Sequence, residues 1–127
     1  MSRKIIIMCV TLAFLAMISA AEQYAVARVT DSALAETGRI IAHIRERRLD
    51  DAAEAARGLD QTWDKQAKWL EMLVDHSSTD DVRYALSKLL AALDGGDEAA
   101  ALIYAGELEG GIEHVYERQA LTVENIF

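Results

Sequence analysis

The residues of this chain with the most chemistry to offer are its three histidines, His43, His76 and His114. His76 follows Asp75 and His114 follows Glu113, so each has beside it a carboxylate of the kind that orients an imidazole on a metal. Were the two segments to pack side by side, the pairs would form a carboxylate-histidine site for a metal or small ligand. Spacing argues the other way, because no His-x-x-x-His or His-Glu-x-x-His sets two imidazoles on one helix face. The preferred reading is helix-end electrostatics, with His76 and His114 kept as an alternative ligand pair and no cofactor expected. Cys9 is the only cysteine and lies within an apolar run, which leaves no intramolecular disulfide, thiolate cluster or cysteine nucleophile. There is no Gly-x-Ser-x-Gly, no glycine-rich phosphate loop and no carboxylate pair distinct from surface acid, so the chain is read as non-enzymatic.

Both tryptophans fall in the longest helical pattern, Leu49 to Val74. Leu49, Ala52, Ala56, Leu59, Trp63, Gln66, Leu70 and Leu73 recur by threes and fours and draw one seam, interrupted only by Gln66. Trp63 sits on the seam and Trp69 on its flank. At helical spacing such a pair reads as core and core edge, which leaves Trp69 as a contact surface rather than part of a ligand box. Asp50 or Asp51, with Glu54 behind, is the expected N-cap.

The other helices follow from their own stripes. Ala27, Thr30, Leu34, Thr37, Ile41 and Ile44 make a weakly apolar one, ending at the basic cluster Arg45, Arg47 and Arg48, which suits a helix C-terminus. Val82, Leu86, Leu89 and Leu93 make a cleaner one, entered through Ser77, Ser78 and Thr79 followed by Asp80 and Asp81, which offer N-caps and dipole-matching acids. Asp94-Gly95-Gly96-Asp97 is the strongest turn signal, and Ala101, Tyr104, Leu108, Ile112 and Val115 line the last helix, weakened by Gly106, Gly110 and Gly111. The acid-and-alanine start after Arg48 echoes the one after Asp94, as two antiparallel helix pairs would. Asn125, Ile126 and Phe127 end the chain with apolar groups at a position that ordinarily frays, so the tail is read as docked on the bundle or held for a partner.

The absence of proline and the wealth of strong helix formers fit an all-α chain, and 127 residues suffice for one domain. Arg3 and Lys4 precede Ile5 to Ala21, seventeen residues with nothing more polar than Thr11 and Ser19. That length is at the short edge of a membrane span, and the same opening begins a signal peptide. Ser19-Ala20-Ala21 and Ala25-Val26-Ala27 offer cleavage-type spacing, yet the helical pattern runs on past both, which favours an uncleaved anchor over a secreted, processed form. With Arg3 and Lys4 held in the cytoplasm, the remainder is expected outside it. Setting those two aside leaves 11 basic against 21 acidic residues, a net charge of -10 from Glu22 onward, which argues against nucleic acid as a partner.

An N-terminal anchor, spaced tryptophans before Asp75-His76, the segment Ile112-Glu113-His114-Val115 and the ending Leu121-Thr122-Val123-Glu124-Asn125-Ile126-Phe127 together resemble a family of small membrane-anchored proteins of Gram-positive, often spore-forming bacteria, catalogued as domain of unknown function 4363. The resemblance covers nearly the whole chain. Two departures stand out: Ser77-Ser78-Thr79 replaces the acidic residues usual after the Asp-His turn, and the last helix is rich in glycine. Family members resemble accessory proteins encoded near another membrane protein, which implies a membrane partner, and the family brings no activity with it. The expected architecture is an N-terminal anchor or signal over residues 1–21, continuing into an extracytoplasmic antiparallel bundle of about four helices over 22–127. The expected function is that of a membrane-tethered accessory or interaction protein making contact through Trp69, Asn125, Ile126 and Phe127.

Overall fold

The computed structural model describes residues 2–73 and 76–126, with side chains as far as residue 118. Four α-helices make up the chain: α1 (Arg3–Arg45), α2 (Leu49–Leu70), α3 (His76–Asp94) and α4 (Glu98–Ile126), and there is no strand among the described residues. Each helix packs against two others, α1 and α3 both lying against α2 and α4, so the ring closes as an antiparallel four-helix bundle. The expected fold class is therefore the observed one.

The 43 residues of α1 form one rod, about 65 Å long at 1.5 Å per residue. It has two unlike halves. Apolar side chains from Ile5 to Ile18 are exposed, making this helix long and apolar enough to cross a membrane. From Val26 onward the helix enters the core through Val26, Val29, Thr30, Ala33, Thr37, Ile40 and Ile44. The two buried threonines are accommodated because their hydroxyls donate back to the helix, Thr30 to the carbonyl of Val26 at 3.0 Å and Thr37 to that of Ala33 at 2.8 Å. The buried face is turned from the expected stripe: Leu34 and Ile41 lie at the core margin, while Val29, Ala33 and Ile40 are buried. Lying between α2 and α4, α1 buries an arc wider than one stripe, centred where Ala33 allows close approach.

The α2 seam is as expected from Ala52 to Leu70, with Ala53 and Ala67 added and Gln66 half-buried. The helix closes at Leu70 rather than at Val74. Its last turn tightens through Leu73 N–H donating to the Leu70 carbonyl at 2.9 Å. In α3 all four expected seam residues are buried, and Ser78 and Thr79 join them because the helix begins at His76, which puts Ser77, Ser78 and Thr79 inside its first turn rather than at its cap and leaves Asp80 and Asp81 in the turn that follows. In α4, Ala105 takes the buried place expected of Tyr104, which is only partly buried. Gly111 lies where α4 passes close to α3: a methyl there would meet Val82 Cγ2 at 3.4 Å.

The far end of the bundle, away from the apolar run, holds two turns built alike. After α1, Arg48 N–H donates to His43 O at 2.9 Å and Arg47 N–H to Ile44 O at 3.0 Å; after α3, Asp97 N–H donates to Ala92 O at 2.9 Å and Gly96 N–H to Leu93 O at 3.1 Å. Both are Schellman closures, which require a residue in the left-handed region. Gly96 meets that need at φ 69° and Arg47 at φ 61°. Their equivalence makes Arg48 the counterpart of Asp97 as N-cap. Asp97 uses its side chain, accepting from Ala100 N–H at 3.1 Å, whereas Arg48 has no side-chain cap bond. The expected cap at Asp50 or Asp51 is corrected: both lie in the first turn of α2, where their charge still favours the helix dipole.

A side chain in the left-handed region costs about 1 kcal/mol that glycine does not incur. Arg47→Gly should therefore raise the unfolding free energy by about 0.5–1 kcal/mol in a urea titration. A lowered midpoint would mean that the Arg47 side chain contributes more than its backbone strain costs.

Candidate functional site

Chemistry-bearing residues gather at the near end of the bundle, where α2 turns into α3. Trp63 is fully buried, and its indole N–H donates to the Thr79 carbonyl at 3.3 Å, joining the middle of α2 to the first turn of α3. A buried indole requires such an acceptor. The first-turn helical geometry of α3 supplies one. The Thr79 hydroxyl has two acceptors within reach, the His76 carbonyl at 2.9 Å and Glu71 Oε1 at 3.3 Å, and its single proton serves one at a time. Glu71 Oε2 also lies 3.5 Å from His76 Nδ1. This arrangement staples the turn: Glu71 in the turn reaches two residues of α3, and Trp63 holds a third point from within.

His76 and His114 each face a neighbour of their own. His76 is largely exposed and faces Glu71. His114 is exposed on α4, where its Nε2 accepts from Arg118 Nε at 3.3 Å, one helical turn away. Among the described residues no group of three or more histidine, cysteine, aspartate or glutamate side chains is placed to hold a metal ion. Asp75 lies outside the described residues. His43 is elsewhere, half-buried in an open groove between α1 and α2 lined also by Glu36, Arg39, Glu54 and Gln66. Its Nδ1 is buried without a hydrogen-bond partner.

Of the expected contact residues, Trp69 is partly buried and packs on the core margin, as its flank position required. Asn125 and Ile126 continue the backbone of α4, with side chains beyond those described, and Phe127 lies outside the described residues. Sequence reasoning passed over three exposed side chains at this same end: Met72 (82% exposed) in the α2–α3 turn, Tyr24 (65%) on α1 and Tyr116 (48%) on α4. The two tyrosines carried a signal, since each is large and lies off its helix seam, whereas Met72 stands in a turn and belongs to no seam.

Beside this end, α2 and α3 share a small charge cluster. Arg83 places Nε 3.3 Å from Asp64 and Nη1 3.6 Å from Asp80; the Nε contact lacks hydrogen-bond geometry and acts through charge. Asp60 stands behind Asp64, and its carboxyl is held above the usual aspartate range, first by burial and then by the Asp64 charge, with Arg83 opposing both. The folded state thus holds the Asp60 proton more tightly than the unfolded chain does. Stability is therefore gained as pH falls into the carboxyl range and lost as it rises through it. Asp60→Asn should raise the thermal midpoint slightly at pH 7, by about a degree given the partial exposure, and the gain should shrink on acidification. A gain that grows toward low pH would contradict this assignment.

A family model described as domain of unknown function DUF4363 matches residues 20–126, most of the chain. No curated protein and no solved structure matches it.

Proposed function

The chain belongs to the DUF4363 family, and on that premise we propose that it is a non-enzymatic accessory protein tethered to a membrane by the first half of α1. In this reading its bundle stands outside the cytoplasm and engages a membrane protein partner. One observation carries it: α1 passes without a break from an exposed apolar run into the bundle core. Apolar side chains left uncovered over such a length demand a lipid or protein environment. Arg3 and Lys4 ahead of the run favour an inward N-terminus. The non-enzymatic part is supported by how charged groups are used on the bundle surface, in contacts such as Glu36–Arg39 at 2.9 Å and Lys88–Glu107 at 3.6 Å that serve the helices themselves.

The test is to purify the full chain from its native membrane in mild detergent and identify what accompanies it. A stoichiometric membrane protein, captured less well when Ile126 and Phe127 are deleted, is the expected result. Recovery from the soluble fraction, beginning near Glu22 or Arg28, would replace the tether with a secreted domain. Zinc should leave the thermal midpoint unchanged; a zinc-dependent rise abolished by His76→Ala would give precedence to the ligand-binding alternative through His76 and His114.

A further inference from the structure

The two ends of the bundle differ in a way that a freely solvated domain does not require. At the far end, the exposed residues of the turns are Glu46, Arg47, Arg48, Asp94, Gly95, Gly96 and Asp97, with no large apolar group among them, and the exposed Ile103 stands five residues into α4 from that end. At the near end Met72, Tyr24 and Tyr116 are all open to solvent, and Met72 is the most exposed large apolar side chain described. Methionine and tyrosine are side chains that suit the boundary between hydrocarbon and water.

Helix length fixes where this end lies. The apolar run ends at Ala21 and the core begins at Val26, five residues later, or about 7 Å along the rod. That distance is comparable to the headgroup layer on one side of a bilayer, about 5–7 Å. Leu70 is 21 residues along α2 from Leu49, and Tyr24 is 21 residues back along α1 from Arg45, so antiparallel packing sets the two at one level. The turn that follows, Glu71 to Leu73, therefore reaches the level of Gln23 and Glu22, just beyond the end of the apolar run. Tyr116, 18 residues into α4 from Glu98, comes level with Ala27, slightly further out.

We infer that the near end of the bundle rests on the membrane surface, with Met72 inserted among the lipid headgroups beside the emerging α1 and with Tyr24 and Tyr116 at the rim. The inference rests on the tether proposed above and adds a second point of lipid contact to it. The surface it seats on is one of zwitterionic lipid. At the levels of this end the charged residues Glu22, Arg28, Lys68, Glu71, Glu117 and Arg118 are of both signs, so the contact is apolar and needs neither anionic lipid nor low salt. The turn is a contact off the α1 axis, so it fixes which side of the rod faces the bilayer, which the span alone leaves free.

The full chain carries its own control for this test. Cys9, the only cysteine, is exposed within the apolar run. In phosphatidylcholine vesicles, protection of Cys9 from a water-soluble maleimide reports insertion of the span. In a Cys9→Ser background, nitroxide labels are then attached to Met72→Cys at the near end and to Asp50→Cys at the far end; both positions are exposed, so neither change disturbs the core. The expected result is a ratio of oxygen to nickel-chelate accessibility several-fold higher at position 72 than at position 50, unchanged by added salt. If Cys9 is protected but the two labels give equal ratios, the bundle stands clear of the bilayer and the seating is overturned while the tether survives. If Cys9 reacts freely, the tether itself fails and the seating fails with it.

Discussion

The structure depends on the unbroken hydrogen-bond ladder of α1. No proline occurs in the chain, and the first glycine is Gly38, well past the point where α1 has joined the core. Neither of the usual causes of a kink is therefore available between the apolar run and the bundle. A helix that continues without a hinge transmits position: whatever environment the first half occupies sets the height and tilt of the second. The three helices that follow are then built onto a rod already placed, with α2 and α4 each laid against it and α3 closing the ring.

The means of closing differ between the two ends. At the far end the backbone does the work, with two Schellman closures that satisfy the last carbonyls of α1 and α3. The near end, by contrast, is held by side chains: the Trp63 indole on the Thr79 carbonyl, the Thr79 hydroxyl among the His76 carbonyl and Glu71, and Glu71 facing His76. An indole N–H buried at the centre of a bundle would cost about 1–3 kcal/mol if it lost its acceptor, so the first turn of α3 is tied to the correct packing of α2. Ser78 and Thr79 suit this arrangement because both are buried, where a carboxylate would be costly.

How much of this was legible in the sequence depended on how many neighbours each feature has. The seams of α2 and α3 were readable almost residue by residue, because bulky side chains at threes and fours leave one face to bury. For α1 the reading was a residue out of place at several positions: its stripe is a mixture of alanine, threonine and valine whose burial is set by the spacing to α2 and α4 rather than by its own hydrophobicity. Cap positions were misread where the backbone rather than a side chain makes the turn; nothing in Arg47 or Arg48 announces a left-handed residue followed by a helix start, whereas Gly96 and Asp97 do. The neighbour the structure gives His114 is Arg118, a full helical turn away, which a reading of adjacent residues such as Glu113 does not supply. Met72 was missed because exposure at a turn has no periodicity to betray it.

The buried threonines of α1 bear on how the chain could be processed. A peptidase acting after Ala21 would leave the whole buried face of α1 intact, from Val26 to Ile44. Cutting after Ala27 would remove Val26 from the core and also take away the carbonyls of Val26 and Ala27, the two oxygens that lie 3.0 and 3.1 Å from the Thr30 hydroxyl. The shortened chain would then begin with a buried hydroxyl stripped of its acceptors at the edge of the bundle. Of the two small-residue motifs that look alike to a protease, the fold can spare only the first.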